Sequence, residues 1–210
     1  MEFDQLVGLA SDLHCFSAGM VTAGTDIDTL RVQLSRWVAS GRLIRIHKGW
    51  YTLREPFRRV RLDLNVVAST INRASYVSLQ SALAHHGVIP EHVAETTCVT
   101  TGRPRVIDSP VGRIVYRHVK REAFFGYAQE ASGLQEAYIA TVEKALLDLF
   151  YLTPGSDDPA YVSELRLEYP DGLDTVAMFS MAERYDAPRL MRAVRLVEDY
   201  LAETGPGAAT

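Results

Sequence analysis

The apolar positions between residues 27 and 53 predict one helix. Side chains of this kind recur at the spacing of a helical turn and form a single stripe, which comprises Ile27, Leu30, Leu34, Trp37 and Val38. Thr25 or Asp26 can act as the N-cap, because either side chain can accept a hydrogen bond from an unpaired N–H of the first turn. Gly41 stands where a helix end favours a residue that tolerates a positive φ, so we expect the helix to end there.

Two short strands follow this helix. Residues 43–46 and 50–53 are typical of the strands of a hairpin, with a three-residue turn between them. Earlier in the chain, residues 2–14 predict a first amphipathic helix, and Ser17 can cap a short second one. Three helices and a hairpin in this order are typical of a winged helix-turn-helix, which places one helix in the DNA major groove. We therefore predict a winged helix-turn-helix DNA-binding domain over residues 1–55.

The pattern changes after the linker that follows. Residues 62–204 predict an α+β domain, a mixed α/β arrangement with a small, mainly antiparallel sheet and C-terminal helices. Strand-like segments bounded by glycine and proline cover residues 95–101, 105–108, 113–119, 124–128 and 137–140. Helical patterns cover residues 62–73, 79–87, 142–152, 159–167, 174–185 and 188–203. Residues 205–210 are expected to form a frayed tail.

The charge of the chain is distributed unevenly. The 210 residues carry a formal net charge of −4. Residues 1–28 contribute −5, residues 29–61 contribute +8 from nine bases and one acid, and residues 62–210 contribute −7. A basic segment inside an acidic chain is typical of a localised contact with a polyanion. This segment coincides with the predicted third helix, its hairpin and the linker.

Polar side chains on the far side of the third helix are candidates for DNA contact. Arginine can bridge two acceptors of guanine, glutamine can pair with adenine, and threonine or serine can contact a base or a phosphate. An ordinary amphipathic helix with a solvated polar face is the alternative, and the basic segment favours DNA. Outside the apolar stripe lie Thr29, Gln33, Arg36 and Ser40, with Arg31 at its edge.

The linker between the two predicted domains is basic as well. Residues 54–61 include Arg58 and Arg59, and Pro56 interrupts regular structure among them. Two interpretations stay open. Either these arginines extend the DNA contact along the phosphate backbone, or they form a solvated linker.

The remaining reactive side chains do not form a catalytic or metal-binding pattern. His85 and His86 are adjacent, so they point about 100° apart on a helix and do not share a metal easily. Lys144 and Asp148 are four residues apart and can form a pair of small energy on one helix face. The sequence has no nucleotide-binding loop and no nucleophile motif. We predict a protein that is not an enzyme and that needs no cofactor and no metal.

The location of the protein is predicted from its cysteines and its N-terminus. Two cysteines far apart, Cys15 and Cys98, favour a reduced protein. The N-terminus has acids where a signal peptide has bases, and no apolar run is long enough to cross a bilayer. We expect a cytoplasmic protein without a membrane partner.

Three stretches of sequence occur in an order that resembles a known family. They are LRVQLSRWVASGRLIRIHKGWYTL, YVSLQSALAHHGV and YIATVEKALLDLFYL, at residues 30–53, 76–88 and 138–152. They are similar to the recognition helix and wing, the start of the second domain and the Glu-Lys-Ala-Leu-Leu-Asp helix of the AbiEi-type antitoxins of type IV toxin–antitoxin systems. Val142 departs from that pattern, where the family pattern has proline.

This resemblance implies a transcriptional regulator with two roles and no enzymatic activity. The winged helix would bind double-stranded DNA at repeats in its own promoter and repress transcription. The second domain would counteract a cognate nucleotidyltransferase toxin, and the chain would be a monomer or a weak dimer that can pair on DNA. The base-reading residues implied are Arg31, Gln33 and Arg36, and the wing contacts are Arg45, His47 and Lys48. An alternative stays open, a one-component winged-helix regulator whose C-terminal domain senses a small-molecule effector.

Overall fold

The computed structural model describes residues 1–90, 93–168 and 173–204. Within these residues the chain is an α+β protein with eight α-helices and two sheets. The first sheet has three antiparallel strands in the order β1-β3-β2. The elements of this N-terminal unit are α1 (Phe3–Ala10), β1 (Phe16–Ser17), α2 (Ile27–Ala39), β2 (Leu43–His47) and β3 (Trp50–Leu53).

Helix α2 forms where the apolar stripe and its capping residues predict it. The Asp26 side chain accepts a hydrogen bond from the backbone N–H of Thr29 at 2.9 Å, which fixes the first turn. Leu30 and Leu34 are fully buried in the N-terminal core. Gly41 has a φ of +75° and ends the helix.

The start of the chain differs from its sequence prediction. Helix α1 ends at Ala10, well before the predicted end at residue 14. The predicted short second helix is reduced to a 3₁₀ turn at Ala18–Met20. The residues just before this turn, Phe16 and Ser17, instead pair with Tyr51 and Trp50 of β3. Strand pairing therefore holds the residues that lead into the predicted second helix, and Ser17 is the N-cap of the shortened turn.

The second unit is built on a larger sheet with helices packed against it. Its helices are α3 (Leu64–Ile71), α4 (Leu79–His85), α5 (Val142–Leu152), α6 (Pro159–Glu164), α7 (Thr175–Glu183) and α8 (Pro188–Thr204). Its strands are β4 (Ser75–Val77), β5 (Glu95–Thr100), β6 (Arg105–Ser109), β7 (Gly112–His118), β8 (Tyr127–Ser132) and β9 (Gln135–Ala140). The tail predicted for residues 205–210 lies outside the described residues.

This sheet is larger than the small sheet predicted, and two parallel pairs interrupt a mainly antiparallel arrangement. It has six strands in the order β6-β7-β5-β4-β9-β8. The pairs β5–β7 and β4–β9 are parallel, and the other three pairs are antiparallel. The hairpin of β6 and β7 places β6 at the edge, so β7 pairs with β5 in the same direction. The strand predicted at 124–128 begins only at Tyr127, because Phe124 and Phe125 pack against the core.

A glutamine side chain joins the two units. Gln135 Oε1 accepts hydrogen bonds from the backbone N–H groups of His14 at 2.7 Å and Cys15 at 3.2 Å, and its Nε2 donates to the Cys15 carbonyl at 2.8 Å. The His14 ring is buried beside it. Its Nδ1 accepts from the Asp63 backbone N–H at 3.1 Å, so Nε2 carries the proton toward Ser132 Oγ, 3.1 Å away. Burial lowers the pKa of His14.

Candidate nucleic-acid interface

The exposed side of α2 carries two arginines with different surroundings. Arg36 is exposed and makes no ion pair within the described residues. Arg31 is also exposed, but its Nη1 lies 2.9 Å from Asp28 Oδ1 at the start of the helix. Arg36 is therefore free to meet a phosphate or a base, whereas Arg31 must first release a carboxylate. Thr29 and Ser40 are exposed as predicted, and the Ser40 hydroxyl donates to the Trp37 carbonyl at 3.2 Å.

Gln33 does not share this exposure. It is only partly exposed, and its Oε1 is buried without a hydrogen-bond partner in the described part of the chain. The middle of the exposed face of α2 is formed by Arg31, Val32, Ser35 and Arg36. Of the residues predicted to lie outside the apolar stripe, Gln33 is the exception, because its side chain turns partly toward the N-terminal core.

The hairpin after α2 has one free side and one packed side. Arg45 and Lys48 are exposed, with no ion pair among the described residues. Ile46 is 3% exposed and belongs to the large core of the second unit, on which Trp50 also packs. The hairpin therefore rests on the second unit and presents Arg45 and Lys48 to solvent.

A basic residue from the second unit lies beside the hairpin. Strand β6 lies against β2, and Arg105 begins β6. Burial lowers the pKa of the half-buried His47, and the positive charges of Arg105 and Arg45 lower it further. The sequence pattern does not predict that residue 105 lies beside residues 45–47. The run Gly102-Arg103-Pro104-Arg105 was the available sign, since it is a basic turn.

The two linker arginines differ from each other. Arg58 is turned inward: its side chain is 9% exposed, and its guanidinium donates to the carbonyls of Val60 and Leu53 at 2.9 and 3.1 Å and to Glu55 Oε1 at 2.9 Å. The expectation that Arg58 extends a DNA contact is therefore corrected, because its donors already hold the linker together. Arg59 is exposed, with Asp12 Oδ2 3.6 Å from its Nη1.

A second cluster of charged side chains lies inside the protein. Lys144 Nζ contacts Asp148 Oδ1 and lies 2.5 Å from the Tyr185 hydroxyl, which donates to the same carboxylate oxygen at 2.8 Å. The hydroxyls of Tyr76 and Ser78 donate to Asp148 Oδ2 at 2.9 and 2.8 Å. Lys144 and Asp148 have no exposed side-chain surface. The pair predicted on one helix face forms, but the small energy expected for it does not apply, because both groups are buried.

Aromatic rings complete the surroundings of Lys144. Its Nζ lies 5.2 Å from the ring centre of Tyr76 and 5.0 Å from those of Phe125 and Tyr185. Burial lowers the pKa of Lys144 while Asp148 opposes that change. Burial and the negative charge of Asp148 raise the pKa of Tyr76 and Tyr185. The cluster joins α5 to β4 and to the residues just after α7.

The other candidates have ordinary partners. His85 Nε2 lies 2.9 Å from Glu130 Oε2, and His86 Nε2 lies 2.8 Å from the Ala140 carbonyl. Cys15 and Cys98 are both buried thiols. Across the described ranges, no group of three or more His, Cys, Asp or Glu side chains is placed to hold a metal ion.

A groove opens on the second unit between α4, β5 and α6. Its volume is about 450 Å³. Apolar and polar side chains line it together, namely Ile89, Val93, Tyr161, Leu165, Gln80, Glu95, Thr97 and Glu164. A groove of this size and composition can hold a small molecule.

Comparison with known proteins leaves the fold and the surface chemistry as the basis for function. No protein-family model matches the chain, and no curated protein matches its sequence. Among the described residues, no helix is both long enough and apolar enough to cross a membrane.

Proposed function

We propose that the chain is a DNA-binding transcriptional autorepressor whose N-terminal unit is a winged helix-turn-helix. The observation that carries the proposal is the set of exposed basic side chains without ion-pair partners among the described residues: Arg36 on α2, and Arg45 and Lys48 on the hairpin. All three lie in the basic segment of residues 29–61, which has a net charge of +8. Double-stranded DNA is the polyanion that a helix and an adjoining hairpin fit together.

The arrangement of elements supports this assignment. In the proposed winged helix-turn-helix, α2 is the recognition helix, and β2 and β3 form the wing beside this helix. Strand β1 completes a three-stranded antiparallel sheet with them. The 3₁₀ turn at Ala18–Met20 takes the place of a full second helix. Arg36 would read bases or phosphates, and Arg45, Lys48 and His47 would contact the adjoining backbone.

A titration with promoter DNA tests this function. If two copies on adjacent repeats neutralise about 6–10 phosphates, affinity falls about 10³–10⁵-fold as salt rises from about 50 to about 200 mM. Arg36→Ala should weaken specific binding by about 1–3 kcal/mol if Arg36 contacts a base. Fluorescence anisotropy with labelled promoter DNA measures both effects.

The matched control is Arg195→Ala. It removes the same charge from an exposed position on α8, which packs on α5, α6 and α7. Its promoter affinity should equal that of the unmodified protein. Equal affinity of Arg36→Ala and the unmodified protein would remove α2 from the interface, and salt-independent binding would contradict the DNA contact as a whole.

For the second unit we propose a non-enzymatic role in the cytoplasm, as an antitoxin against a cognate nucleotidyltransferase toxin. Its support is the resemblance of the stretches at residues 76–88 and 138–152. Co-expression with a nucleotidyltransferase encoded beside this chain should restore growth. Arg36→Ala should restore it equally well, because the two roles lie in different units. If neither the unmodified protein nor the Arg36→Ala variant restored growth, the antitoxin role would be contradicted.

The groove of about 450 Å³ favours one alternative, a regulator that senses a small-molecule effector. Its ligand would change promoter affinity by binding between α4, β5 and α6. Leu165→Trp would fill the groove and abolish that change while leaving promoter binding without ligand intact. An effector response that persists in Leu165→Trp would contradict this alternative.

A further inference from the structure

The six-stranded sheet has two edges that differ in their surroundings. At one edge, β6 is covered by β2 of the N-terminal unit. At the other edge lies β8, whose residues Tyr127, Ala128, Gln129 and Ala131 are exposed. An edge strand presents a row of backbone groups that can bind another strand.

The register of β8 and β9 shows which backbone groups point away from the sheet. The Thr141 N–H donates to the Gly126 carbonyl at 3.0 Å. Tyr127 faces Ala140, so residues 126 and 141 are also directly opposite and form a hydrogen-bonded pair. Such pairs alternate along an antiparallel ladder. The bonded positions toward β9 are therefore residues 126, 128, 130 and 132, whereas Tyr127, Gln129 and Ala131 direct their N–H and C=O groups outward.

These outward groups are free in the described part of the chain. No turn, loop or cap hydrogen bond ends on the backbone of Tyr127, Gln129 or Ala131. The strand also lacks the features that protect edges, because it has no lysine, no proline and no register shift. Its one charged residue, Glu130, is paired with His85 at 2.9 Å.

We propose that β8 pairs with β8 of a second copy, antiparallel, with Gln129 opposite Gln129. A two-fold axis then sets Tyr127 opposite Ala131 of the other copy, and all three outward residues form hydrogen-bonded pairs. A shift of two residues in either direction loses one of these three pairs. One of those shifts also places Glu130 opposite Glu130, which is unfavourable.

The register centred on Gln129 keeps all three hydrogen-bonded pairs and avoids the contact between the two Glu130 side chains. Because the edge is complementary to itself in this register, we assign a second copy of the chain as its partner and not an unrelated strand. Each Glu130 faces Ala128 and keeps its own His85. Strand pairing alone buries less surface than a standard interface, so the dimer forms in a concentration-dependent manner. The inference does not rest on DNA binding, because β8 is remote in sequence from the basic segment.

Cross-linking tests the register. The Cα atoms of a hydrogen-bonded antiparallel pair are about 5.5 Å apart, within the range that a disulfide spans. The native thiols are buried and give no background. Gln129→Cys should form a covalent dimer under oxidising conditions. Ala128→Cys is the control, since it faces residue 130 of the other copy. Equal cross-linking of the two variants, or none, would overturn the proposed pairing.

A charge-exchange experiment tests the partner. Gln129→Lys and Gln129→Glu each place like charges opposite each other at the two-fold axis, so each variant alone should lose dimer in sedimentation velocity. An equimolar mixture should regain it, because the two charges then attract. A chain that stays monomeric up to about 1 mM, or single variants that dimerise like the unmodified protein, would overturn the proposal. No DNA is present, so the result is separate from the fate of the proposed promoter contact.

Discussion

Helices α2 and α5 both carry a basic and an acidic side chain within one turn of each other, and they place them in opposite surroundings. On α2, the side chains of Arg31 and Asp28 are 62% and 80% exposed. On α5, the side chains of Lys144 and Asp148 are fully buried. The exposed pair is screened by water and contributes little to stability. The buried pair is retained only because hydroxyls and rings satisfy the charges around it.

The difference shows where the protein has charge available for a partner. Around α5, Tyr76, Ser78 and Tyr185 bond to the Asp148 carboxylate, so the cluster is complete without another molecule. Around α2, Arg36 has no such partner within the described residues. Charge that is satisfied inside holds helices together, whereas unsatisfied charge at the surface is available for binding.

The largest expected effect is the loss of stability in Asp148→Ala. This change leaves the Lys144 ammonium buried without its counter-charge and removes the acceptor of three hydroxyls. Breaking a buried pair in this way lowers the free energy of unfolding by about 3–5 kcal/mol. Urea denaturation followed by circular dichroism measures it.

Arg31→Ala is the matched control for that measurement, because it breaks the exposed pair on α2. Its free energy of unfolding should change by less than about 1 kcal/mol. If Asp148→Ala were as stable as Arg31→Ala, the distinction between the two helices would fail.

The sequence predicts α2 and its hairpin well because their determinants are local. The apolar stripe, the Asp26 cap and Gly41 all lie within a few residues of the element that they define. The same reasoning fails for the surroundings of α5. The spacing of Lys144 and Asp148 is the same for an exposed and a buried pair, and Tyr76 and Tyr185 are far from them in sequence.

Long-range packing explains the other differences. The parallel pairs β5–β7 and β4–β9 join strands that are not neighbours in the chain. The inward turn of Arg58 depends on carbonyls exposed by the path of the linker. The approach of Arg105 to the hairpin depends on how the two units pack. Patterns within one segment contain none of this information.

A smaller expected effect concerns the pH dependence of DNA binding. In the free protein, burial and then Arg105 and Arg45 lower the pKa of His47. A phosphate beside the hairpin would raise that pKa in the complex. The complex then binds the proton more tightly, so affinity increases as pH falls and levels off below the pKa of the free protein.

Each unit by which DNA binding raises the pKa of His47 corresponds to an increase in affinity of at most about tenfold. Anisotropy titrations between about pH 8 and about pH 5.5 span the ordinary histidine pKa. His47→Gln should remove this part of the dependence. The same pH dependence in His47→Gln as in the unmodified protein would show that no phosphate lies beside His47.

The smallest expected effect lies at His14, between the two units. Burial lowers the pKa of His14, and the nearby charge of Asp63 opposes that change. The folded protein therefore favours the neutral ring, whose Nδ1 accepts the Asp63 N–H. The free energy of unfolding should be highest above the unfolded pKa of about 6.5 and fall as pH decreases from there to the folded-state pKa. Urea denaturation across this range, compared with His14→Asn, isolates the contribution. Asparagine keeps a hydrogen-bond acceptor but does not titrate. If the free energy of unfolding depended on pH in the same way in His14→Asn and in the unmodified protein, His14 would be excluded as the cause.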